Sequence, residues 1–373
     1  MPSVAARGEY DSNVFVTADD PKRDFIATLS PAIEIVKRNE RLDTSAQIRL
    51  DSYEYADNRE LSAIDQTYKG NIRYRLLPNF GVAAQAGYLI DSRPDRDLQT
   101  TGLVTTGLRR ERFNTGLSTD YQLSELTALS LSYAYGKEIY EKRYSDTLSH
   151  EVKAGLIRDL GKYFPAVKGM VNIGYIKYDI GGFPTDSLMG TVGFSRSFNE
   201  IWGINAGGGL RYTETQFPVF SLQQVAPGLF QMVQETKTED GWGWVGQASL
   251  TYKGLQSSGD LTYSRDVKPA SGQSRVVERN TLALNARYRF TQELSASLNT
   301  GYYTNKTGGF ASAAGAIDEQ SFRISPRVRY EFSRDTALEA SHDYSRIDNQ
   351  IADTQTERHL VSVRLTIQHA LLE

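Results

Sequence analysis

The chain has 373 residues, a formal net charge of −3 and 39% hydrophobic residues. It contains no cysteine, which excludes a disulfide framework, a zinc–thiolate site and c-type haem attachment in this chain. No apolar run approaches the roughly 18 residues that a membrane helix needs, whereas 22 tyrosines and 31 glycines bias the chain toward strands and turns.

Successive side chains of a β-strand point to opposite faces, and the sequence alternates accordingly from its N-terminal part onward. Phe25, Ala27, Leu29, Pro31, Ile33 and Ile35 share one parity. Leu129, Leu131, Tyr133 and Tyr135 alternate with Ser130, Ser132 and Ala134. Trp242, Trp244, Ala248, Leu250 and Tyr252 face away from Gln247, Ser249 and Thr251. Leu282, Leu284, Ala286, Tyr288 and Phe290 oppose Asn285, Arg287 and Arg289. Phe322, Ile324, Pro326, Val328, Tyr330 and Phe332 oppose Arg323, Ser325, Arg327, Arg329 and Glu331. Val361, Val363, Leu365 and Ile367 close the series. No helical period of comparable length competes.

Eight short turns punctuate these strands, at 39–42, 77–80, 124–127, 160–166, 197–202, 253–258, 290–294 and 332–337. Longer polar connections lie between them, as at 17–24, 56–66, 90–101 and 306–320. Eight turns make nine hairpin units, hence about 18 antiparallel strands with both termini on the short-turn side. Strands of ten to fifteen residues cover the roughly 9–11 that a tilted strand needs to cross a bilayer. Short turns at one rim and longer loops at the other mark an outer-membrane barrel. The expected fold is therefore all-β: one transmembrane antiparallel β-barrel of about 18 strands over residues 1–373, with short periplasmic turns and longer external loops. Its apolar parity faces lipid and its polar parity a watery lumen. Phe80, Phe164, Phe198, Trp202, Phe290 and Phe332 beside the short turns supply an aromatic girdle. Pro326 lacks a ladder donor and fits a bulge or a weakly paired spot.

The lumen parity carries the candidate site. Arg73, Arg75, Arg287, Arg289, Arg327 and Arg329 all lie within a few residues of a short turn, with Arg323 one step further up. Two readings follow. The guanidiniums form a belt in the periplasmic half that attracts anions and orients carboxylates or phosphates. Alternatively they pair with lumen acids such as Glu34, Asp43 and Asp51, and antiparallel pairing places Arg327 near Asp343. Tyr53, Tyr55 and Tyr303, at or near lumen parity, could stack on sugar rings or belong to a rim girdle. Residues 214–239 are far more apolar than the other external connections, and Phe217, Phe220, Leu229 and Phe230 are poorly placed in open water. We expect a pore-constricting or capping loop there; partner docking and two long strands joined by a hairpin are the alternatives.

The four histidines have no metal-ligand spacing, and there is no nucleophile elbow or phosphate loop, so no catalytic residue, metal or cofactor is assigned. No nucleic-acid partner is expected. The Met-Pro-Ser start has neither a positive segment nor an apolar one, and we expect a signal peptide to have been removed.

Near the N-terminus, Tyr10, Asp11, Asn13, Val14 and Phe15 precede a short polar loop, then Asp24-Phe25 and Leu29-Ser30-Pro31. This opening, with the tyrosine-rich stretch at 51–57, resembles the type 2 β-barrel porin family of Gram-negative bacteria over roughly the first sixty residues. The ending His-Ala-Leu-Leu-Glu departs from the terminal aromatic common among barrels. The resemblance implies an outer-membrane location and a conduit through which a secreted polysaccharide is exported, working with periplasmic and inner-membrane machinery. An anion-leaning diffusion porin and a sheath around a partner electron-transfer cytochrome are the alternatives. The implied partners are outer-membrane lipid and an anionic or neutral polysaccharide.

Overall fold

The computed structural model describes residues 1–98, 100–103, 109–141, 145–226, 229–270, 276–307 and 316–369. In chain order the strands are β1 (Pro2–Asp11), β2 (Asp24–Arg38), β3 (Leu42–Tyr55), β4 (Ala63–Leu77), β5 (Phe80–Asp91), β6 (Arg110–Ser124), β7 (Thr127–Tyr140), β8 (Thr147–Asp159) and β9 (Val167–Ile180). The second half holds β10 (Phe183–Ser197), β11 (Trp202–Ala226), β12 (Leu229–Lys253), β13 (Ser257–Pro269), β14 (Val276–Arg289), β15 (Leu294–Lys306), β16 (Asp318–Glu331), β17 (Thr336–Asn349) and β18 (Thr354–Gln368). One turn of 3-10 helix, Arg59–Leu61, sits between β3 and β4.

Each strand pairs antiparallel with its sequence neighbours, and β1 pairs with β18, so 18 strands close into one barrel. Closure removes the exposed edges that an open sheet of this size would present. All eight short turns fall where the sequence predicts them. The opposite rim is less uniform: β9 and β10 are joined by Gly181-Gly182 alone, with φ of 63° and 86°. A two-residue hairpin of that handedness needs positive φ at both positions, which glycine adopts without a Cβ clash.

The outward parity is apolar around the whole wall. Phe25, Leu131, Val192, Leu210, Trp244 and Val363 are all exposed on the outer face. Exposed apolar surface on that scale requires an apolar surround, and the wall contacts membrane lipid. Aromatic pairs mark the short-turn rim: Phe80 with Tyr121, Trp202 with Tyr252, Tyr288 with Phe290 and Tyr330 with Phe332. Beside Pro326 the β16–β17 ladder breaks between Ile324↔Tyr344 and Arg327↔Ser341 without changing register, the weak pairing expected of a missing donor.

Residues 214–239 continue the wall. β11 and β12 stay paired from Thr215↔Glu239 up to Ala226↔Leu229, which is the long-hairpin alternative of the three open in the sequence. Phe217, Phe220, Leu229 and Phe230, assigned from sequence to a pore loop, lie on this hairpin with side chains outside the described residues.

The buried apolar side chains gather inside the barrel, toward the external rim. Val14, Ile26, Tyr53 and Tyr55 form one cluster, Leu103, Ala270, Val277 and Ile317 a second, and Val16, Leu98 and Ile347 a third. Leu98 and Leu103 belong to the connection between β5 and β6, whose residues 92–98 and 100–103 therefore turn into the lumen.

Candidate functional site: the lumen

The lumen has two levels with different electrostatics. The upper level is the inward-turned segment 92–103, described at residues 92–98 and 100–103. Its backbone coils, with the amides of Thr100 and Thr101 donating to the Asp97 carbonyl at 3.1 and 2.8 Å. Gly102 ends the coil at φ 70°, and a Cβ there would run into Tyr303 and Ser321 on the wall.

Arginine–carboxylate pairs fix this segment to the wall. Arg93 reaches Glu9 of β1 at 2.8 Å and Asp95 at 3.0 Å, with its guanidinium 5.2 Å from the Tyr53 ring centre. Asp95 accepts from Arg358 of β18 at 2.9 Å, and Arg358 also bonds Asp11 of β1. On the other flank, Arg110 joins Asp91 at 2.7 Å and Asp97 at 2.9 Å, and Arg96 joins Asp91 at 3.1 Å. Ser92 donates to Asp65 at 2.7 Å. Across the lumen, Asn305 Nδ2 donates to the Thr101 carbonyl at 2.8 Å. Leu98 and Leu103 insert between the polar anchors, each against a different part of the wall.

Such pairs compensate each other only as complete sets. Removing one partner of a buried pair leaves an uncompensated charge and costs about 3–5 kcal/mol. For Asp95, burial alone would raise the carboxyl's pKa. The Arg358 and Arg93 guanidiniums beside it outweigh burial and hold it well below the usual carboxylate range.

The lower level faces the short-turn rim and carries arginines alongside acids, Arg73 and Arg75 sharing a recess with Asp43 and Asp120. Arg73, Arg75, Arg287 and Arg289 are exposed on lumen parity. Together with Arg327 they form no ion pair with any described carboxylate. Asp43, across the ladder from Arg73, is bonded instead by Arg38 at 3.3 Å. Two other arginines predicted from the sequence are neutralised. Arg329 donates to Glu331 at 3.0 Å and stands opposite Glu339. Asp343 bonds Arg323, and Arg327 instead stands opposite Ser341. A strand pair fixes backbone partners, but a long side chain also reaches diagonally, and here the diagonal contact holds the ion pair.

The tyrosines open from sequence to either sugar stacking or a rim girdle are packed away. Tyr53, Tyr55 and Tyr303 are all buried on the wall of the upper level, against the inward segment or beside it. Sequence reading missed the whole upper level. Its signal was present in the connection 90–101, where Arg93, Asp95, Arg96 and Asp97 alternate in charge in front of Leu98. A freely solvated loop has no need of that density of complementary charge.

Residues 258–369 match the family model described as "Putative beta-barrel porin 2", the type 2 porin family that the N-terminal residues resemble. The matched part spans β13 to β18. No curated protein matches the chain. Among solved structures, the chain is similar to OpdO of Pseudomonas aeruginosa, with 14% identity, 100% of this chain and 97% of that chain covered, and a TM-score of 0.48. It is similar to OccK2 (OpdF) of the same organism, with 10% identity, coverage of 98% and 97%, and a TM-score of 0.48. It is also similar to the ferric yersiniabactin uptake receptor FyuA of Yersinia pestis, with 11% identity, 98% of this chain covered and a TM-score of 0.48. The chain spans 65% of the length of FyuA and 60% of that of the ferric citrate transporter FecA.

Proposed function

From the premise of a porin-like outer-membrane barrel channel, we propose that this chain conducts an anionic saccharide across the outer membrane, with an exported acidic polysaccharide as its cargo. One observation carries the reading: Arg73, Arg75, Arg287, Arg289 and Arg327 line the lower lumen without a carboxylate partner among the described residues. Uncompensated guanidiniums in a confined aqueous space raise the local anion concentration and grip oxyanions by paired hydrogen bonds. The serine and asparagine positions between them suit hydroxyl-rich cargo. Export, and the inner-membrane and periplasmic partners it requires, are drawn from the family resemblance. A polymer also has to pass segment 92–103, whose anchors are polar and separable rather than a continuous ladder.

The second reading is an anion-leaning diffusion porin, favoured by the same arginines if segment 92–103 stays docked. A sheath around a cytochrome is disfavoured, because segment 92–103 fills lumen space that a cytochrome would need.

Planar-bilayer recording tests the proposal. The wild-type pore is expected to be anion-selective in a salt gradient, most strongly at low ionic strength. The Debye length is about 30 Å at 0.01 M and about 3 Å at 1 M. Replacing Arg73, Arg75, Arg287 and Arg289 with Gln should move the reversal potential toward cation selectivity. A cation-selective wild type would overturn the proposal. Oligouronides that block and then traverse the pore support the polymer; small anions that pass while oligomers are excluded support the diffusion porin.

A further inference from the structure

The free arginines are unevenly distributed around the wall. On β14, β15 and β16 the register places Arg287 opposite Ser297 and Ser297 opposite Arg327. Two residues toward the short turns, Arg289 stands opposite Ser295 and Ser295 opposite Arg329. All six positions have lumen parity. Four arginines therefore mark the corners of a patch about 10 Å across two strand spacings and about 7 Å along the strands, with two serines down its middle.

Among the described residues, three of the four corners have no carboxylate partner, and Arg329 is held by Glu331. Two of the four corners, Arg287 and Arg329, line a lumen recess of about 650 Å³ with Ser295, Ser297, Asn285 and Asn299. The recess also contains Lys253 and three acids. Glu331 is taken by Arg329, Asp260 accepts from Thr251 at 3.2 Å, and Glu339 stands between Arg329 and Arg364. At the patch's upper edge, the Ser325 hydroxyl is fully buried and, like Arg327 Nε, has no hydrogen-bond partner among the described residues. Buried donors without acceptors are costly, and these two adjoin the same free corner.

We propose that this patch is a binding subsite for an oxyanion, a carboxylate or a phosphate or sulfate ester carried by the transported molecule. The inference rests on the channel reading above and adds a place where cargo pauses. Guanidiniums on either side of a hydroxyl column present forked donors to an oxyanion's several oxygens. A neutral sugar would leave those charges unanswered.

The test uses the full-length protein in planar bilayers, with inorganic phosphate, glucuronate and neutral glucose as probes. Arg287→Gln/Arg327→Gln is compared with Arg73→Gln/Arg75→Gln, which removes the same charge from a different part of the wall. Heat-modifiable gel mobility establishes that both variants fold. Phosphate and glucuronate are expected to block the wild type, and glucose not. The block should weaken at least about tenfold in Arg287→Gln/Arg327→Gln and clearly less in Arg73→Gln/Arg75→Gln, which lowers only the diffuse charge of the lumen. Block by one oxyanion only identifies which source the subsite serves and supports it. Equal weakening in both variants, or in neither, overturns the subsite while an anion-selective wild type leaves the channel reading standing. A wild type that is neither anion-selective nor blocked overturns both.

Discussion

Arg358 on the last strand donates through Nε to Asp11 on the first at 2.9 Å, joining residues 347 positions apart at the barrel seam. The same guanidinium reaches Asp95 in the inward segment. One side chain thus ties closure of the wall to occupation of the lumen. Replacing Arg358 with Ala would leave Asp11 and Asp95 without it, at a cost of about 3–5 kcal/mol. We expect a lower unfolding temperature on heat-modifiable gels and a higher, noisier single-channel conductance. Arg358→Lys should recover part of the stability, since it restores charge but not the forked geometry.

Acid should loosen the segment. The folded-state pKa of Asp95 lies below its unfolded value of about 3.9, so its pairing stabilises docking fully above that value and progressively less as pH falls below it. Conductance should rise reversibly below about pH 4. A conductance unchanged down to about pH 3 would contradict the assignment.

The absence of native cysteine makes cross-linking specific. Thr101→Cys with Asn305→Cys introduces the only two thiols, at positions whose parents share a hydrogen bond across the lumen. Mild oxidant should join them in the folded barrel, read as a mobility shift that reductant reverses. No cross-link in folded protein would place segment 92–103 elsewhere.

Parity can be tested with two neighbours on β7. Leu131 is exposed on the outer wall, and Ser132 faces the lumen. Arginine at Leu131 should cost about 2–4 kcal/mol if it lies near the bilayer midplane and reduce assembly into lipid vesicles. Arginine at Ser132 should assemble normally. Equal impairment would invalidate the assignment of faces.

The long hairpin separates two places for a constriction. Excising 217–237 and closing Gln216 to Thr238 with an Asn-Gly turn keeps the remaining β11–β12 ladder in register. Folding should survive. Unchanged conductance assigns the constriction to segment 92–103; a clear rise gives the hairpin a share.

Alternation and turn spacing alone determined the barrel, its strand number and the face of nearly every wall residue. Those are local properties, because a strand's period of two reports its surroundings residue by residue. They put Arg287 and Arg327 in the lumen without any knowledge of their neighbours. Tertiary structure decided which charges are answered. Asp343 went to Arg323 rather than Arg327, and Arg329 to Glu331, because a long side chain chooses among neighbours that register alone cannot rank. It also decided where 92–103 goes. Arg93, Asp95 and Asp97 read as an ordinary polar loop until closure brings Glu9, Arg358 and Arg110 around them. Ion pairing between segments far apart in the chain leaves no period in the sequence, so only the closed barrel could show that this loop is drawn inward.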